Sequence, residues 1–118
     1  MHNSKNKTNS KSHNILERQM LNDLEQRINI NVGSFLVLSE EGDPQQIAFA
    51  HQQAKTEFLK FGPEMHKIAM RIGGPITQAV DEYLASIDML LHCPATWIDE
   101  DKITHCYHTT QRLDAELR

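Results

Sequence analysis

Apolar positions recur along most of this chain at spacings of three and four, the period of a helix with one buried stripe. From Asn14 to about Asn29 the stripe is Ile15, Leu16, Met20, Leu21, Leu24 and Ile28, and Ser12 or Asn14 can cap it. Glu17, Arg18, Asp23, Glu25 and Arg27 fall on the opposite, solvated face. Asp43 followed by Pro44 predicts a second helix start, with proline at the first helical position. That helix carries Ile47, Ala50, Ala54, Phe58 and Phe61 on one face, and Gly62-Pro63 is expected to stop it. A short helix follows over residues 64–72, with Met65, Ile68, Ala69 and Ile72 in line. Gly73-Gly74 ends it and Pro75 opens the most regular segment, residues 75–92, with Ile76, Val80, Leu84, Ile87 and Leu91 aligned. Thr96, three residues before Asp99, is the expected cap of a last helix bearing Ile98, Ile103, Cys106, Thr110, Leu113 and Leu117.

Two stretches break this pattern. Residues 30–38 mix strand-like alternation at Ile30 and Val32 with the continuous apolar run Phe35-Leu36-Val37-Leu38. A lone strand has no partner in the chain, so the segment is expected to be irregular or helical unless a second copy pairs with it. Residues 1–13 contain no apolar residue after Met1, and a disordered polar tail is expected there. Residues 14–118 then form a single domain. The expected class is all-α, a small bundle of four to five amphipathic helices, open to being intertwined as a dimer.

Charge narrows the partners. The first 13 residues hold three lysines and no acid, whereas the remainder carries −7 and the chain −4. Nucleic acid binding needs a clustered basic face, so an acidic body argues against it. The longest uncharged run, Ile28 to Ser39, has twelve residues, short of the roughly 20 of a membrane span. With a polar N-terminal stretch and only two cysteines, Cys93 and Cys106, the expectation is a cytoplasmic protein with reduced thiols.

Candidate chemistry is sparse. His92, Cys93, His105, Cys106 and His108 flank one expected hairpin and are zinc-ligand types. There is no C-x-x-C, however, and neighbouring His-Cys pairs on a helix diverge by about 100°. Cys106 also falls on the apolar stripe, where a thiol acts as a small hydrophobe. His66 on a helical bundle of this length is similar to the histidine of a phosphotransfer domain. That motif needs a lysine one turn on and a small residue after it, and Ala69 and Met70 stand there instead. Glu57, Glu64, Asp81, Glu82 and Asp88 read as a solvated acidic face, with no Glu-x-x-His among them. Gly73-Gly74-Pro75 reads as a helix corner, because Pro75 removes a donor where an anion would sit.

The remaining signal is apolar surplus. Phe35, Leu36, Phe49, Tyr83, Met89 and Trp97 exceed what a minimal core needs, and aromatic side chains favour interfaces. The sequence therefore predicts a non-enzymatic interaction protein, such as a regulator, adaptor, inhibitor or chaperone. It would bind a protein, including one with a basic surface, through apolar faces with an acidic rim, and would form a homodimer without a cofactor. The alternative is a metal- or redox-responsive protein holding zinc at the Cys/His cluster.

Overall fold

A computed structural model describes residues 2–93 and 98–118, with side chains from Asn14 onward. Its four helices are α1 (His2–Glu41), α2 (Pro44–Ile72), α3 (Pro75–His92) and α4 (Glu100–Leu117), and no strand occurs among the described residues. They run up, down, up, down. Arg18 near the start of α1 reaches the end of α4, and His51 of α2 meets the carbonyl of Leu91 at the end of α3. No helix among the described residues is long and apolar enough to cross a membrane.

The first departure from the sequence expectation is the length of α1. Residues 30–38 continue the helix, resolving the ambiguous stretch as helical. The buried line is Leu21, Glu25, Ile28, Val32 and Phe35, at alternating steps of four and three. Ile15, Leu16 and Met20, expected inside, are exposed. The backbone is also helical from His2, ahead of the expected cap.

The second is that α2 passes through Gly62-Pro63 without stopping. Pro63 removes one helical hydrogen bond, but it sits on the exposed face, where water can satisfy the orphaned carbonyl. Phe61, Met65, Ile68 and Ala69 meanwhile hold the inner face on both sides of it. Gly62 is buried there, with a side-chain carbon of Leu84 3.7 Å from where its Cβ would lie.

The turns follow their expected chemistry more closely. Asp43 accepts from the Gln46 N–H at 2.8 Å, while the Gln46 side chain accepts from the Asp43 N–H at 3.1 Å, a complete capping box. Gly73 and Gly74 have φ of +78° and +67°, a left-handed pair that lets two residues reverse the chain. The last cap is Asp99, which accepts from the Lys102 N–H at 2.9 Å. It begins α4 one turn later than a Thr96 cap would, and Thr96 lies outside the described residues.

The core is a stack of Leu, Ile, Val, Ala, Phe and Met side chains from all four helices, with Tyr83, Leu90 and Leu113 fully buried. A polar seam crosses it between α3 and α4. The hydroxyls of Ser86 and Thr109 lie 2.7 Å apart, and the Cys106 thiol donates to the Ser86 carbonyl. Packing is unequal around the bundle. The helices α1 and α2, α2 and α3, and α3 and α4 pack extensively, whereas α1 and α4 pack least of the four neighbouring pairs. One side of the bundle is therefore incompletely closed.

Candidate functional site

The open α1–α4 side is a groove of about 800 Å³. Its α1 wall runs from Asn14 through Arg18, Gln19, Asn22, Glu25 and Gln26 to Asn29, Asp114 and Leu117 come from α4, and Arg118 follows at its end. Fifteen residues of helix separate Asn14 and Asn29, so the wall is about 22 Å long. Amide side chains dominate it. Arg18 closes one end, its guanidinium donating to the Glu116 carbonyl at 2.6 Å.

Glu25 lies at the floor, only 2% exposed. Neither of its carboxylate oxygens has a hydrogen-bond donor among the described residues. Burial pushes its pKa from 4.5 up to about 8, and the neighbouring Asp114 carboxyl adds to the rise. The Asn29 side chain pulls weakly the other way. At neutral pH Glu25 is thus mostly a neutral acid lying beside the Asp114 carboxyl. Behind it, the Tyr83 hydroxyl donates to Asn29 Oδ1 at 2.6 Å. Burial is the main reason the Tyr83 hydroxyl is held protonated, and the neighbouring acidic groups, Glu25 first among them, act in the same direction.

Sequence reasoning missed this site because it ended the first helix near Asn29 and set Glu25 on the outer face. A helix continued to Phe35 gives a different stripe, and Glu25 then falls between Leu21 and Ile28. An acid on a 4-3-4-3 apolar line was the available signal.

The expected surface residues divide. Phe35 and Tyr83 are fully buried, so neither offers surface on this chain. Phe35 instead stacks on His51, with ring centroids 4.8 Å apart. Leu36 is half-buried, whereas Phe49 and Met89 are exposed on α2 and α3. Trp97 lies outside the described residues.

The Cys/His residues are dispersed. His92 is exposed and pairs with Asp88, and Cys93 is half-buried at the end of α3. His105 and His108 are exposed, while Cys106 is buried in the seam. Burial pushes the Cys106 thiol up, against its hydrogen bond to Ser86, which makes it a poor thiolate. Among the described residues no three His, Cys, Asp or Glu side chains converge as a metal site would require. His66 hydrogen-bonds Asp81 at 3.0 Å on the surface, and Glu82 pairs with Arg112 at 2.8 Å. Set beside known protein families, curated proteins and solved structures, the chain matches none of them.

Proposed function

We propose that this is a non-enzymatic helical interaction protein that associates with a second copy of itself along the open α1–α4 side. The observation that carries the reading is the incomplete closure of the bundle there. Towards the end where α1 finishes and α4 begins, the groove line continues by helical spacing into Gly33, Leu36 and Val37 on α1 and Ile103 and Tyr107 on α4. Val37 and Tyr107 are 61% and 60% exposed, and Leu36 and Ile103 are only partly covered by the core. Nothing stands within 4 Å of where a Cβ of Gly33 would lie, so a partner backbone has room to approach.

Glu40, Glu41, Glu100 and Asp101 are exposed at this same end. Like charges facing each other are unfavourable, so a second copy packs end for end, keeping the two acidic rims apart. The same rim favours a basic surface on any other protein partner. The polar segment 1–13 has no apolar residue after Met1 and contributes nothing to the proposed apolar contact.

Native mass spectrometry with and without chelator tests this reading. The expected result is a metal-free dimer that the pair of changes Val37→Glu and Tyr107→Glu converts to monomer. A wild-type monomer at micromolar concentration would refute self-association. One zinc per chain, lost with chelator or on changing Cys93 or Cys106 to Ser, would replace the reading with a metal-responsive protein using the Cys/His residues.

A further inference from the structure

We infer that the lower half of the α1–α4 groove is a binding site for a linear organic amine, whose ammonium group sits on Asp114 with Glu25 directly behind it. This site is separate from the apolar end proposed for self-association and does not depend on that reading.

Three features of the groove lead to this ligand. The first is an unmet requirement for a donor. Glu25 is almost completely buried, lines the groove, and has no donor for either carboxylate oxygen among the described residues. A buried carboxyl without a partner is costly, and a cation placed beside it removes that cost. The second is the balance of charge. Asp114 is half-buried and reachable from the groove, so the two acids together can meet a single positive charge. Arg18, the basic group at the end of the groove, is turned to the Glu116 carbonyl. Its presence there confines a ligand's positive charge to the Glu25–Asp114 end.

The third is the wall. Asn22 and Gln26 supply side-chain carbonyls that can accept from a second ammonium or an amine hydrogen, and Ile15 and Leu117 offer apolar area to methylenes. An aliphatic chain carrying an amine at the Glu25–Asp114 end matches that order along the groove. The groove volume of about 800 Å³ also lies within the range of small-molecule sites. A hard divalent cation fits less well. Calcium takes six to eight oxygens and usually several carboxylates, whereas only two converge here.

Binding is coupled to a proton. The titratable groups facing Glu25 are Asp114 from α4 and Tyr83 from α3, with Arg18 farther along α1. Of these, Asp114 is the charged neighbour that acts on it. When an ammonium group arrives, the Glu25 carboxyl loses its proton to solvent and the pair becomes two carboxylates around one cation. No bond other than that O–H is broken.

The experiment is isothermal titration of the full chain with 1,4-diaminobutane at pH 6, 7, 8 and 9, in two buffers of different ionisation enthalpy. Butane and butanol analogues serve as controls, with magnesium and calcium as separate titrants. We expect saturable 1:1 binding, release of close to one proton at pH 7, and affinity rising by up to about tenfold per pH unit to pH 8 before levelling. Glu25→Gln should abolish proton release and the pH dependence while keeping the fold, checked by circular dichroism. Asp114→Asn should weaken binding at least tenfold. The inference is overturned if the diamine does not bind at millimolar concentration, if both variants bind it as wild type does, or if calcium or magnesium saturates the site instead. Should one variant fail to fold, the proton count and pH profile of the wild type decide the matter alone.

Discussion

Glu25 is the residue on which this protein's solution behaviour turns. Its folded pKa lies near 8 against 4.5 for an ordinary carboxyl, so the folded state holds a proton that the unfolded chain releases above pH 4.5. The unfolded state thus binds fewer protons through this window, and stability falls as pH rises. The contribution is fully present below about pH 4.5 and is lost as pH climbs through 8, a change on the order of a few kcal/mol. Thermal melts from pH 5 to 9 should show wild type losing stability relative to Glu25→Gln. Gln stays neutral, and its amide can donate to Asp114. Parallel melting curves for the two proteins across that range would refute the assignment. The difference between the two proteins is the quantity to measure, because it cancels what every other titratable group contributes. Tyr83 tests the same network from behind. Tyr83→Phe removes the donor to Asn29 and should cost about 1 kcal/mol in chemical denaturation, the usual worth of one hydrogen bond.

Among the helices, the glycines separate local propensity from tertiary constraint. Gly33 sits within α1 with open space around its missing Cβ. Alanine there should stabilise the monomeric fold by about 0.5–1 kcal/mol, through the lower entropy of the unfolded chain and better helix propensity. Gly42 is the opposite case. A Cβ there would lie 2.8 Å from the Leu38 carbonyl oxygen, a backbone atom that cannot move aside cheaply. Gly42→Ala should therefore destabilise, in spite of alanine's better intrinsic propensity, and denaturant midpoints of the two variants should move in opposite directions. Asp43→Ala, which removes one half of the capping box, should cost about 1 kcal/mol. The capping chemistry that begins α2 is local and readable from three residues. The passage of α2 through Gly62-Pro63 is not, because it depends on what Phe61 and Met65 pack against.

For the molecule as a whole, the unequal closure of the bundle decides where a ligand or partner can enter. Three helix pairs are packed and one side is open, so both the amide-walled groove and the apolar end lie between α1 and α4. Much of the architecture was legible beforehand. The bounds of α3, the start of α2, the corner at Gly73-Gly74 and the all-helical class follow from spacing, caps and turn residues, which act within a few positions of each other. The candidate site was not legible, and Glu25 shows why. A carboxylate is normally placed at the surface, and only the neighbours brought by α3 and α4 make this one buried. Phe35 and Tyr83 make the converse point. As large apolar or aromatic residues they suit an interface or a core equally well, and the positions of His51, Glu25 and Asn29 around them decide for the core. The sequence by itself determined the all-helical class, the bounds of α3, the start of α2 and the corner at Gly73-Gly74, since those choices rest on backbone sterics and hydrogen bonds between residues close along the chain. Only the tertiary structure decided which face of α1 is inside, that α2 continues through its proline, and that two acids from helices nearly 90 residues apart share one groove. Those outcomes are set by burial, and burial depends on the whole set of neighbours that the packed bundle assembles around each side chain.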